Sequence, residues 1–291
     1  MLVHTIPYDS GLVALIGDLH YDSYAWAGLD PIEAGGLADL PWTRLDALIV
    51  TGDLANHPSG NWRFALRRLS KWIDPSRIFV LPGNHDYYNF SVDGDGDLRR
   101  LAAAEGVHFI QKTELIHGPT RFLCATLWTD FDLLGDPVTA MREAGRRMND
   151  YFRISMSDPK QEGPLPEFQG SRRQVPLTPE VVLQLHRNHR CWLEDRLSTP
   201  FTGRTVVVTH HCPHSMAAGK HDALTPAFAS DLGDLILQHQ PGHWFFGHTH
   251  RRLKATVGRT KLINTSVGYP LEPRLAGELP LSKLCLLEPA R

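Results

Sequence analysis

Five short stretches carry side chains able to bind cations: Gly17-Asp18-Leu19-His20, Gly52-Asp53, Gly83-Asn84-His85-Asp86, His210-His211 and Gly247-His248-Thr249-His250. Imidazole nitrogens, carboxylate oxygens and an amide oxygen make up a donor set for transition-metal ions. Asp18 and His20, two apart in a loop, can grip one ion together, although such a pair alone is more often a hydrogen-bonded turn. Asp53 has two carboxylate oxygens and can bridge two cations, or it can cap a helix. Asn84 offers a neutral oxygen, and its tetrapeptide equally suits a tight turn. Asp86 is expected to accept a hydrogen bond from the His85 ring, holding that imidazole oriented and charged. His248 and His250 can both reach one centre from an irregular segment. His210 and His211 point to opposite sides if their segment is extended. One of them is expected to ligate and the other to contact substrate or to pack.

Each stretch comes directly after a short apolar run. Leu12 to Ile16, Ala47 to Thr51, Arg77 to Leu81, Thr205 to Thr209 and His243 to Phe246 are rich in Val, Ile and Phe, and read as buried strands. Helical spacing appears at Asn61 to Ile73, at Thr178 to Leu197 behind a Thr178-Pro179-Glu180 start signal, and more weakly at Asp231 to Gln238. Strands alternating with helices predict an α/β architecture. Ligands gather at the carboxyl ends of strands in such folds, so five loops at one sheet edge can bring these side chains to one point. No interdomain linker is visible, which predicts one domain over residues 1–291. The mixed segment from Asp136 to Pro176 reads as a helical insertion followed by a loop, either mobile at the surface or lying over substrate.

Composition excludes several classes. Hydrophobic residues make up 42% and charged residues 21% of 291, an ordinary globular balance. A formal net charge of −2 gives no broad reason to bind nucleic acid or an anionic membrane. The arginine pairs, such as Arg67-Arg68 and Arg251-Arg252, are isolated and read as solvated surface. Four scattered cysteines without a C-x-x-C spacing argue against a disulfide framework or a thiolate zinc site. The N-terminus lacks the pattern of a signal peptide, and no apolar run approaches the ~20 residues of a membrane span. A reduced, cytoplasmic setting is the expectation. The 16 histidines exceed the 7 tyrosines and 7 tryptophans, which fits either a metal site or a surface rich in histidine.

The complete ordered set resembles the calcineurin-like metallophosphoesterase superfamily. All five blocks of that superfamily occur in order from Asp18 to His250 with no ligand replaced. Asn264-Thr265-Ser266-Val267-Gly268-Tyr269-Pro270 also resembles bacterial phosphoesterases of that type. The resemblance implies a four-layer αββα sandwich of two mixed β-sheets flanked by helices. It implies one metal ion held by Asp18, His20, Asp53 and His250, and a second held by Asp53, Asn84, His210 and His248, with Asp53 as the bridge. His210 is favoured over His211 because the pattern His-x-x-Pro runs from His210 to Pro213. His85 would face substrate, with Asp86 as its partner. The implied reaction is hydrolysis of a small phosphate ester, monoester or diester, by a metal-bound hydroxide. Two ions ~3.5–4 Å apart clamp the phosphoryl group and acidify water toward a pKa of about 7. Mixed nitrogen and oxygen donors suit Mn, Fe or Zn. Rival readings are an inactive metal-binding scaffold of the same fold and a nuclease. Tyr87, Tyr88, His211 and Cys212 adjoin ligand positions and either shape a pocket or pack.

Overall fold

The computed structural model describes residues 2–158, 173–219 and 221–289. One sheet runs in the spatial order β15 (Leu286–Leu287), β2 (Val13–Ile16), β3 (Ala47–Thr51), β4 (Ile78–Leu81) and β6 (His108–Phe109). The last four are mutually parallel, and β15 is antiparallel to β2. Every residue of β2, β3 and β4 is buried, the pattern of parallel strands covered on both faces. The helices α1 (Tyr21–Trp26), α3 (Pro58–Leu69) and α4 (Asp95–Ala104) pack on this sheet through Tyr21, Trp62, Leu66 and Leu98, with the short α2 (Pro31–Ala34) between α1 and β3. Each such side chain removed from water contributes about 1.5–3 kcal/mol. The helix α3 begins three residues before the sequence expectation because Pro58, whose fixed φ suits a first turn, occupies its first position.

The second sheet has seven strands: β1 (Leu2–Thr5), β7 (Thr113–His117), β8 (Thr120–Ala125), β11 (Arg204–Thr209), β12 (His243–Phe246), β14 (Thr260–Asn264) and β13 (Lys254–Val257), in that spatial order. Its strands alternate between two cores, as a period of two demands. Phe122, Val206, Val208, Phe245 and Ile263 face the first sheet. Leu123, Val207, Trp244, Phe246 and Leu262 face Leu193 and Leu197 of α7 (Pro179–Ser198) and Leu235 and Ile236 of α9 (Gly233–His239). The result is the expected four-layer sandwich, two mixed sheets between helices. Among the described residues, no helix is long and apolar enough to cross a membrane.

The expected strands therefore form, but not along one sheet edge. The strands β2, β3 and β4 deliver Asp18, Asp53 and Asn84 from one sheet, while β11 and β12 deliver His210 and His248 from the other. Backbone pairing brings the two carboxyl edges together: Gly17 N–H donates to Thr265, and the Val267 and Gly268 N–H groups donate to the carbonyls of Gly17 and Asp18 at 2.8 and 3.1 Å.

The segment from residue 136 to residue 176 contains α5 (Pro137–Arg147) and α6 (Asp150–Arg153), as the helical reading predicts. Beyond α6 the chain is only partly the expected loop. β9 (Ile154–Ser157) pairs with β10 (Gln174–Pro176) on one side and with β5 (Phe90–Ser91) on the other in a small third sheet, which satisfies backbone groups that a loop would leave to water. Residues 159–172 of that segment lie outside the described residues. The remaining short helix, α8 (Ser215–Ala218), lies between β11 and α9.

Candidate metal centre

All seven expected ligands converge. Asp18, His20 and His250 form one group of donor atoms within 4.8 Å of one another, and Asp53, His210 and His248 form another. Asp53 joins the two: its Oδ2 lies 3.8 Å from His20 Nε2 and 3.4 Å from His210 Nε2. Asn84 Oδ1 lies 3.0 Å from that same His210 nitrogen. On the other side, His250 Nε2 stands 3.4 Å from Asp18 Oδ1 and 3.2 Å from His20 Nε2. His248 Nε2 is buried with no hydrogen-bond partner among the described residues, and so is His20 Nδ1. Buried imidazoles and carboxylates turned toward one another fit transition-metal ions by both donor type and position.

The backbone is bent to achieve this. Asp18, His20, Asp53, His248 and His250 all have φ between 38° and 64°, the left-handed region that non-glycine residues rarely occupy. Such conformations cost on the order of 1 kcal/mol or more each and persist where surrounding bonds dictate them. Here Asp18 N–H donates to Gly52 and His20 N–H to Asp53, at 2.9 and 3.0 Å. Two glycines make room. Gly52 has φ 100°, and a Cβ there would strike the His210 ring; a Cβ at Gly83 would strike the Asp53 carboxylate.

Hydrogen bonds fix several rings. His210 Nδ1 meets the Thr51 carbonyl at 3.0 Å, which leaves Nε2 for the centre. His250 Nδ1 meets Glu272 Oε2 at 2.8 Å, leaving its Nε2 likewise. Burial disfavours charge on both rings, but carboxylates outweigh it: Asp53 and Asp18 push His210 up to about 9, and Asp18 with Glu272 push His250 up to about 10. Burial and neighbouring imidazoles instead hold His20 and His248 well below the ordinary histidine value. Burial likewise opposes ionisation of Asp53, yet His210 and His85 bring its carboxyl well below the usual range. Cations would compete for the same lone pairs that these protons occupy.

The Asp86 expectation is corrected. Asp86 does not touch the His85 ring. Its two oxygens accept backbone N–H groups from Asp53, Leu54, Ala55 and Gly83, and the Trp62 indole N–H at 2.9 Å. The residues His85–Tyr87 form a 3-10 turn, where successive side chains diverge, so Asp86 points into the core while His85 does not. The partner of His85 is Asn56, whose Oδ1 lies 2.8 Å from His85 Nδ1. Asn56 is set in turn by Asp22, whose carboxylate takes the Asn56 amide N–H at 2.7 Å. On its other side His85 Nε2 meets the Tyr269 hydroxyl at 3.2 Å. His85 also comes within donor reach of His20 and Asp53.

Sequence reading missed Asn56, Asp22, Glu272 and Asp150 as site residues. Asn56, three residues beyond Asp53, and Asp22, two beyond His20, carried a signal by position; Glu272 and Asp150 come from other segments. Tyr269, quoted for the resemblance alone, stacks on His20 with ring centroids 4.3 Å apart. His211 packs against His248 and Trp128, and Tyr87 donates to Asp95. Tyr88 lines the cleft above the centre; Tyr87, His211 and Cys212 do not. That cleft has a volume of about 560 Å³, with Met148, Leu224 and Phe228 as apolar walls.

A sequence model of calcineurin-like phosphoesterases matches residues 11–252. The chain belongs to the calcineurin-like phosphoesterase family. Membership gives the reaction class, metal-dependent hydrolysis of phosphate esters. The calcineurin-like fold accounts for the likeness to phosphopantetheinyl hydrolase (PptH) from Mycobacterium tuberculosis, with a TM-score of 0.67, 17% identity, and coverage of 94% of this chain and 95% of that one. A putative 5'-nucleotidase from Staphylococcus aureus matches with a TM-score of 0.48 at 14% identity, over 88% of this chain and 49% of that one. A purple acid phosphatase from yellow lupin matches with a TM-score of 0.45 at 11% identity, over 95% of this chain and 47% of that one. No curated protein matches the chain.

Proposed function

We propose that this phosphoesterase is dinuclear and cleaves the phosphate ester of a small organic alcohol. The observation that carries the reading is the position of Asp53 Oδ2 between His20 Nε2 and His210 Nε2, at 3.8 and 3.4 Å, one histidine from each donor group. One ion would be held by Asp18, His20, Asp53 and His250, the other by Asp53, Asn84, His210 and His248. When bound, the pair supplies Lewis acidity and a water acidified toward neutral pH, with Mn, Fe or Zn suited to the donors. Residues 1–291 are read as one catalytic unit, with Arg147 to Asp150 of the inserted segment in the cleft wall.

The remaining steps belong to side chains of the chain itself. Asn56 Oδ1 accepts a hydrogen bond from His85 Nδ1–H, because Asp22 takes a side-chain amide N–H of Asn56 and so turns the oxygen toward the ring. His85 Nε2 is thus the nitrogen that faces substrate, and the Tyr269 hydroxyl shares it. A proton delivered there to the leaving oxygen contributes typically ~10²–10⁴-fold. Substrate size is set by the cleft, whose lining among the described residues contains one arginine, Arg147, and no lysine, against the carboxylates of Asp53, Asp150, Asp222 and Glu272. That lining does not favour a polyanionic backbone, so a nuclease reading has no support in it.

The test is metal analysis together with a substrate panel. Manganese-loaded protein is expected to carry two ions and to hydrolyse members of a set of phosphomonoesters, cyclic nucleotides and phosphodiesters, a phosphopantetheinyl diester included. His85→Ala should keep both ions while kcat falls ~10²–10⁴-fold, most for poor leaving groups. Two ions bound with no turnover of any ester would favour the inactive scaffold, and loss of an ion from His85→Ala would make His85 a ligand.

A further inference from the structure

The segment that carries α5 and α6 lies outside the two large sheets, yet its Asp150 reaches the centre. Asp150, the first residue of α6, is buried at 3% exposure. Its Oδ1 accepts two hydrogen bonds, from Asn84 Nδ2 at 3.0 Å and from the Tyr88 hydroxyl at 2.6 Å. The two ends of an asparagine amide have nearly the same shape, so partners decide which end faces where. A carboxylate can accept only from the NH₂ end. Asp150 therefore turns Asn84 Oδ1 away from itself, toward His210 Nε2 at 3.0 Å. The second bond acts on a neighbour of the same loop. The Tyr88 ring stacks on His85, with centroids 4.1 Å apart and planes 26° apart. The same short helix is tied to that loop again, since Asn89 N–H donates to the Arg153 carbonyl at 2.7 Å.

We propose that Asp150 is a positioning residue of the metal centre: it locks the Asn84 amide with its oxygen toward the His210 side, and through Tyr88 it locks the ring that packs on His85. The proposal rests on the reading of Asn84 as a ligand. Its chemistry is that of amide resonance. An N–H held by a carboxylate shifts electron density onto the amide oxygen, which makes a neutral and otherwise weak donor a better one. The carboxylate would therefore act on a bound cation through Asn84 rather than by direct contact. The inserted segment thus does more than roof the cleft; it supplies the lock that holds one ligand in its working orientation.

Calorimetric titration of Mn²⁺ into the metal-stripped full chain tests this, with melting of each stripped protein to establish that it is folded. The unaltered chain is expected to bind two ions. Asp150→Ala should weaken one of them by about 10–100-fold and leave the other unchanged. Asp150→Asn, which retains an oxygen at the shared position, should restore most of that loss. Tyr88→Phe should bind both ions at full affinity and lower kcat alone. In an Asn84→Ala background, Asp150→Ala should cost no further affinity, because the group it positions is gone. Asp150→Ser replaces the alanine variant if that one fails to melt as a folded protein. Unchanged affinity for both ions in Asp150→Ala, equal weakening of both, or a further loss in the Asn84→Ala background would overturn the proposal. If the unaltered chain binds no Mn²⁺, the ligand reading itself fails, which is a separate result.

Discussion

Strand β3 has a buried aspartate near each end, and the two are put to opposite uses. Asp46, just before the strand, accepts the backbone N–H groups of Asp9, Ser10 and Gly11, the Ser10 hydroxyl, and His117 Nε2 at 2.9 Å. Asp53, two residues past the other end, accepts a single backbone N–H, that of His85 at 2.9 Å, on Oδ1. Its Oδ2 faces two imidazoles instead. The residue type, burial and strand are the same, so neither burial nor charge distinguishes structure from function here. What differs is the occupant of each lone pair. Backbone N–H groups fill those of Asp46 permanently and pin the Ser10 loop to the sheet; imidazoles leave those of Asp53 open to exchange with a cation.

The largest effect should come from Asp53→Asn. It removes the shared oxygen, so both ions should be lost or greatly weakened. The fall in kcat should be on the order of 10³-fold or more, since water is no longer acidified from about 15.7 toward about 7. Elemental analysis beside steady-state kinetics checks it, and a variant that retains two ions and near-normal turnover would break the contrast.

At the opposite end of the strand, Asp46→Asn should leave metal content and kcat close to those of the parent chain and cost about 1–3 kcal/mol of stability, because charge-assisted bonds to buried donors are lost. This effect has a defined pH window. Although burial opposes ionisation, the Ser10 N–H and His117 hold the Asp46 carboxyl down to about 2. A depressed folded value stabilises the folded state above the unfolded value of about 3.9, and that contribution is lost as pH falls toward 2. Urea unfolding should therefore show the gap between parent and variant narrowing below pH 4; a gap that is flat down to pH 2 would count against the assignment.

Asp86 sharpens the comparison, because it sits beside the centre but has the partners of Asp46. If occupants rather than location decide the role, Asp86→Asn should keep two ions and destabilise by about 1–3 kcal/mol. Loss of an ion, with stability unchanged, would show that location matters more.

The smallest effect is expected from His211→Ala, whose ring packs behind His248 without joining either donor group. Both ions should remain, with at most a small change in KM, whereas His210→Ala should lose one. Equal metal loss from the two variants would erase that distinction.

Local sequence was enough to say which side chains could meet and on what kind of scaffold. Short apolar runs ending in Gly-Asp, Gly-Asn-His or Gly-His are local features, and a strand followed at once by a turn needs no distant partner to be legible. The α/β alternation therefore appears in the structure, where the seven side chains read as candidate ligands meet. How those side chains are held was settled by tertiary packing alone. Five strand ends that looked like one sheet edge belong to two sheets, joined where Gly17 pairs with Thr265 and Val267. Adjacency misled at Asp86, because neighbours in a 3-10 turn point apart, and the contact to the His85 ring expected of Asp86 is made by Asn56. Asp150, Tyr269 and Glu272 lie 66, 184 and 22 residues from the side chains they touch. Hydrogen bonds between such residues are fixed by packing of whole elements, and no local spacing or periodicity encodes them.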